Sequence, residues 1–111
     1  MKIAQEDIDG GIVKVTLVGS LDVEGSGVVD MPFSVISGTN DKVIVDFTDV
    51  DFLASIGIRV LVKAAKAVGN RGGRLAVYNP NEAARSVMAS TGVDTIIFVT
   101  DDEAAAIAAV S

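Results

Sequence analysis

The run Val43-Ile44-Val45-Asp46-Phe47 has almost no polar interruption. A strand with one wet face alternates apolar and polar residues; a near-continuous apolar run is the mark of a strand buried on both faces, as in parallel sheets covered by helices. Leu75-Ala76-Val77-Tyr78 and Thr95-Ile96-Ile97-Phe98-Val99 repeat the pattern downstream. Helical patterns separate them. Between Ile56 and Asn70, residues Ile58, Leu61, Val62, Ala65 and Val68 recur on one face. Strands alternating with helices from residue 43 onward predict α/β layers with parallel pairing.

The front of the chain reads differently. Ile12 to Val18 is rich in β-branched residues, with Val13, Val15 and Leu17 on one face. Asp9-Gly10-Gly11 has hairpin chemistry and pairs this run with a weaker strand over residues 2 to 8. In residues 20 to 42, Gly25, Gly27 and Pro32 predict only a short or broken helix around Met31 to Ile36. Further on, Asn79-Pro80-Asn81-Glu82 reads as an N-cap, a first-turn proline and a capping-box glutamate, with Gly92 as the stop. A last helix follows Thr100, with Asp101, Asp102 and Glu103 in its first turn. The expectation is one α/β domain over residues 1–111: a mixed sheet with an N-terminal hairpin, flanked by about four helices.

Composition narrows the chemistry. The 111 residues contain no cysteine and no histidine, which removes thiolate nucleophiles, imidazole acid–base work and the usual zinc ligands. Nine basic residues against fifteen acidic give a net charge of −6, and there is one Tyr, four Phe and no Trp. Such a surface repels phosphate backbones and offers no stacking platform, so no nucleic-acid partner is expected. No apolar run approaches the ~20 residues that span a bilayer, and the N-terminus meets Glu6 and Asp7 without a signal-peptide core. A cytoplasmic protein without membrane insertion is the expectation. A monomer or weak dimer is the expectation, and nothing resembling a heptad seam fixes the oligomeric state.

Three stretches could carry chemistry. Gly69-Asn70-Arg71-Gly72-Gly73 closes a helix and enters a strand, the reverse of a phosphate cradle, and reads as a tight turn. Asp46, Asp49 and Asp51, with Asp22, could bind a cation or act as acid and base; following a strand, they read rather as turn and surface residues. The third is Asp51-Phe52-Leu53-Ala54-Ser55-Ile56-Gly57-Ile58-Arg59. Ser55 stands at the expected N-cap of a helix, and Gly57 removes a side chain beside it. Either Ser55 is simply a cap, or its hydroxyl is presented to a kinase. A phosphate there would meet helix N-terminal amides, with Arg59 four residues on. Arg59, Lys63 and Lys66 share one stripe, either a solvated face or a surface for an acidic partner.

Here the chain resembles the STAS domains of the anti-sigma factor antagonists. Their signature is an apolar strand ending near Asp, a short loop, and Asp-Ser-Ser/Thr-Gly-Leu opening a helix. The matching residues are Val43–Phe47 and Val50–Ile58. Gly19-Ser20-Leu21-Asp22, Asn79-Pro80, Thr91-Gly92-Val93-Asp94 and Glu103-Ala104 follow in the family's order. The resemblance implies a non-enzymatic protein that binds an anti-sigma factor, in many cases an ATP-dependent serine kinase, and releases a sigma factor. Phosphorylation of the helix-opening serine, Ser55 here, ends that binding, and a serine phosphatase resets it. The loop acid maps to Asp22. The implied partner surface is Asp22, Ala54, Ser55, Ile56, Gly57 and Arg59. No cofactor or metal is expected, ATP and magnesium belonging to the partner. Two positions depart from the pattern: Ala54 replaces the acid before the serine and Ile56 the small hydroxyl residue after it. On these rests a second reading, an unphosphorylated STAS scaffold subunit of a larger transport or stress-sensing complex. A third, an enzyme using Asp22, Asp46 and Asp49, requires those carboxylates to line a deep pocket.

Overall fold

A computed structural model describes all residues, 1–111. The chain begins with strands β1 (Lys2–Ile8) and β2 (Ile12–Leu21), followed by helix α1 (Val23–Thr39) and strand β3 (Lys42–Leu53). Helix α2 (Ser55–Gly69), strand β4 (Arg74–Tyr78) and helix α3 (Glu82–Thr91) come next. A 3-10 turn over Val93–Thr95, strand β5 (Phe98–Thr100) and helix α4 (Glu103–Val110) complete it. The five strands lie in chain order, β1-β2-β3-β4-β5. β1 and β2 form the antiparallel hairpin, and every later pair is parallel.

Alternation along the strands sorts the core into two layers. Val13, Val15, Leu17, Val43, Val45, Phe47, Leu75 and Val77 point to one face, where α1, α2 and α3 cover them in the main cluster. Ile12, Ile44, Ala76 and Tyr78 point to the other, where Ala106 and Val110 of α4 close a smaller cluster. β3 is therefore buried on both sides over Val43–Val45, as its composition requires. On the α4 face the sheet also carries a polar group. Lys14 Nζ lies 2.7 Å from Glu103 Oε2, and Tyr78 donates its hydroxyl to the same oxygen at 3.1 Å. Burial, then the charges of Asp46 and Glu103, push the Tyr78 phenol far above its ordinary pKa.

Several expectations need correction. α1 is one continuous helix of 17 residues with Pro32 inside it, not a short or broken element. Its buried stripe of Val29, Phe33 and Ile36 outweighs the amide that proline cannot donate. β3 runs on to Leu53, so Asp46, Asp49 and Asp51 are strand residues rather than loop residues. α3 is capped by Asn81, whose side chain accepts from the Ala84 amide at 2.8 Å. Asn79 is left-handed at φ 55 and takes no part in the cap. The last strand is shorter and later than Thr95–Val99: the left-handed Gly92 ends α3, and bonds from Thr95 and Ile96 to the Gly92 and Val93 carbonyls wind Val93–Thr95 into a 3-10 turn. The turn over Gly69–Gly73 is the expected helix-to-strand connection.

Candidate functional site

The carboxyl ends of β2 and β3 meet where α1 and α2 begin. The Ala54 amide donates to the Leu21 carbonyl at 3.1 Å, so the entry to α2 is tied to the end of β2. Asp22 follows Leu21 and caps α1, accepting from the Gly25 amide at 2.8 Å. Ser20 Oγ reaches Asp51 Oδ1 at 2.7 Å across the β2–β3 seam. Asn81 closes the other side: while its oxygen caps α3, its amide nitrogen donates to the carbonyls of Val50 at 3.3 Å and Asp51 at 3.4 Å.

Ser55 is not the cap. Ala54 holds that position in extended backbone (φ −94, ψ 165) and supplies no side-chain acceptor. Ser55 is the first helical residue and exposed, its hydroxyl free of any bond in the chain. Because no side chain caps α2, the amides of Ser55 and Ile56 are left without an internal acceptor. Such an end favours negative charge.

Gly57 does something other than open space beside Ser55. It is buried, and a β-carbon there would lie 2.7 Å from Leu21 Cγ and 2.8 Å from the Leu21 carbonyl oxygen. Glycine is what allows α2 to seat on β2, so the expected clearance is already filled by Leu21. Arg59 is exposed and pairs with no carboxylate. Lys63 reaches across to Asp30 of α1 at 3.2 Å. The basic stripe is thus partly answered by α1.

The aspartates do not converge. Asp46 binds the backbone amide of Thr48 at 2.8 Å, and no cluster of three or more acidic side chains could hold a metal ion. What sequence reasoning missed is a groove between α1 and α2 with a volume of about 260 Å³, whose walls include Val23, Ser26, Ile56, Arg59 and Val60. Exposed apolar residues at the mouth, Val23 at 71% and Ile56 at 37%, with Phe52 at 53% just before the α2 entry, give this end an apolar rim. One signal was in the sequence: Val23, Val28, Met31 and Val35 leave α1 apolar on its outer side as well as its inner one.

The model of the STAS domain family matches residues 4–106. The chain belongs to the STAS domain family. A Thermotoga neapolitana protein, named as a candidate anti-sigma factor antagonist, is 31% identical over 61 residues, covering 55% of this chain and 54% of that protein. The STAS chain thus spans about half the length of the curated relative it matches. Among solved structures, a candidate anti-sigma factor antagonist from Thermotoga maritima superposes with a TM-score of 0.88 at 23% identity, covering 97% of this chain and 93% of that one. The Bacillus cell fate determinant SpoIIAA in its phosphorylated form gives 0.74 at 21%, covering 97% and 98%. At these identities the structures show a shared STAS fold. No helix is long and apolar enough to cross a membrane.

Proposed function

We propose that residues 1–111 act as one STAS domain, a cytoplasmic, non-enzymatic anti-sigma factor antagonist. It docks on an anti-sigma factor of the serine-kinase type, frees a sigma factor, and lets go when Ser55 is phosphorylated; a serine phosphatase restores it. The observation that carries this reading is the state of Ser55. Its hydroxyl is exposed and uncommitted at the first position of a helix whose leading amides have no internal acceptor. A phosphate there adds close to two negative charges at a helix end that tolerates them, without unfolding anything. Those charges fall beside the apolar rim of Val23, Phe52 and Ile56, where a partner's apolar surface cannot accept them. Asp22, Ala54, Ile56 and Arg59 complete the contact surface, and Gly57 holds α2 in place. That SpoIIAA, of the same fold, exists in a phosphorylated form supports the reading.

The test is a pull-down from lysate of the native organism with wild type, Ser55→Ala and Ser55→Asp, partners read by mass spectrometry. A small ATPase-type kinase captured by wild type and lost with Ser55→Asp is expected, with phosphate on wild type and none on Ser55→Ala. Phosphate persisting at full level in Ser55→Ala would sink the assignment. The absence of a carboxylate at Ala54, the cap position, favours the second reading, a scaffold subunit. On that reading wild type and Ser55→Asp retain the same multi-subunit complex.

A further inference from the structure

The two edges of the sheet are β1 and β5. β5 has only three residues, which offers another chain little to pair with. β1 has seven, and it pairs with β2 in unbroken register from Lys2 opposite Val18 to Ile8 opposite Ile12. An open edge of this length is usually blunted by a proline, a bulge or a covering element. β1 has neither proline nor bulge, and five of its seven residues are exposed. The backbone N–H and C=O groups that point away from β2 have no strand to bond. Charge is the remaining guard, carried by Lys2, Glu6 and Asp7, none of which forms an ion pair within the chain.

The spacing of those charges says which strand the edge accepts. Ile3 packs on the main core and Ile8 on the α4 cluster, so alternation puts Lys2, Ala4 and Glu6 on the α4 face. Consider a second copy of the chain, its β1 antiparallel to the first about a two-fold axis through the sheet. Facing residues must point to the same side of the continuous sheet, so the axis passes through a residue and not between two. With Ala4 on the axis, Lys2 of each copy stands opposite Glu6 of the other. An axis at Gln5 sets Lys2 against Ile8 and Glu6 against Ala4. An axis at Glu6 puts two glutamates face to face, and one at Ile3 leaves Glu6 beyond the other strand. Opposite charges directly across a ladder stabilise it, and like charges there oppose it. Only the Ala4 register turns the guard into a match.

We propose that β1 is a self-association edge: two copies of this chain pair their β1 strands antiparallel about Ala4, into one sheet held in register by two Lys2–Glu6 ion pairs. One strand from each copy makes a small interface, so the dimer is weak and exchanges with monomer. β2 and β3 of the two copies run in opposite directions across the axis. Their carboxyl ends, with Ser55, therefore lie at opposite ends of the dimer, both clear of the contact. The pairing does not rest on Ser55 being phosphorylated, nor on any other protein.

The test follows the full, ¹⁵N-labelled chain from about 20 µM to about 1 mM, with mass read by sedimentation equilibrium. Mass is expected to rise toward the dimer as the amide signals of residues 2–8 shift with it. Lys2→Glu and Glu6→Lys, both exposed changes, should each weaken association at least tenfold by setting like charges face to face. Glu6→Lys makes the chain less negative, so a loss there cannot come from overall repulsion. Mixed in equal amounts, the two single variants should pair with each other as wild type does with itself, and the double exchange K2E/E6K should restore self-association. The proposal is overturned if the chain stays monomeric at about 1 mM, or if it dimerises without shifts at residues 2–8. It is equally overturned if the single variants associate like wild type, or if neither the mixture nor the double exchange regains pairing. Because unphosphorylated protein alone is used, failure here leaves the partner-switch reading standing, and failure of the pull-down leaves this result standing.

Discussion

Gly57 and Gly27 are both helical glycines, yet the structure assigns their replacement by alanine opposite signs. In a helix interior, alanine is favoured over glycine by about 1 kcal/mol. At Gly27 of α1 a new β-carbon meets nothing within 4 Å, so that gain is kept. At Gly57 the same atom lies 2.7 Å and 2.9 Å from two Leu21 side-chain carbons and 2.8 Å from the Leu21 carbonyl oxygen. The side chain can swing, but the carbonyl cannot move without disturbing the bond it accepts from Ala54. Overpacking of this kind costs about 1–3 kcal/mol, and with backbone involved the upper part of that range applies. The net expectation for Gly57→Ala is a loss of about 1–2 kcal/mol, against a gain of about 0.5–1 kcal/mol for Gly27→Ala. For a domain of this size that corresponds to Tm roughly 4–8 °C lower and 2–4 °C higher respectively. Urea unfolding at 25 °C, followed by circular dichroism with m held common, reads both. A Gly57→Ala protein as stable as wild type or more so would refute the close approach of α2 to Leu21. Leu21→Ala in the Gly57→Ala background should not recover the loss, because the carbonyl contact remains and removing the fully buried Leu21 side chain opens a cavity of its own.

Ser55→Ala should change unfolding free energy by less than about 0.5 kcal/mol, because no cap bond is lost, whereas Asp22→Ala should cost about 1 kcal/mol by uncapping α1; equal losses in urea titrations would contradict the cap assignment. The Lys14 ammonium, then the Tyr78 hydroxyl, hold the Glu103 carboxyl below its ordinary pKa, so its contribution is present above the unfolded value of about 4.3 and lost as pH falls through the folded one. Glu103→Gln should therefore cost no more than about 1 kcal/mol at pH 7, the pair being partly exposed, and progressively less as the pH is lowered below about 4.3; a gap that widens on acidification would reverse the argument. Pro32→Ala should stabilise by about 1–2 kcal/mol, restoring the amide for the Val28 carbonyl, and calorimetry showing a lower Tm would contradict it.

How far the sequence disclosed this fold depended on whether the deciding interaction was local. β1, the Asp9–Gly11 turn and the two-faced burial of Val43–Val45 follow from turn chemistry and alternation, and they stand where those rules put them. α1 does not, because glycine and proline penalties are local while the burial of Val29, Phe33 and Ile36 against the sheet is not. Ser55 illustrates a finer failure. Serine before a helical pattern reads as a cap, yet the Ala54–Leu21 bond moves the helix start one residue earlier. The neighbourhood of Asp22 and Ser55 was legible through its family resemblance. The groove beside it was not, since it depends on how two helices separated by β3 lie together.

Asn81 makes the candidate site mechanically visible from a distance. One side-chain amide both starts α3 and grips the Val50 and Asp51 carbonyls near the end of β3, a few residues ahead of Ser55. Whatever draws Asp51 or Val50 aside on docking therefore pulls on the first turn of α3, although α3 has no part in the proposed contact surface. Hydrogen exchange at the leading amides of that helix becomes a built-in gauge of whether the Ser55 end is engaged, readable without placing a label near it.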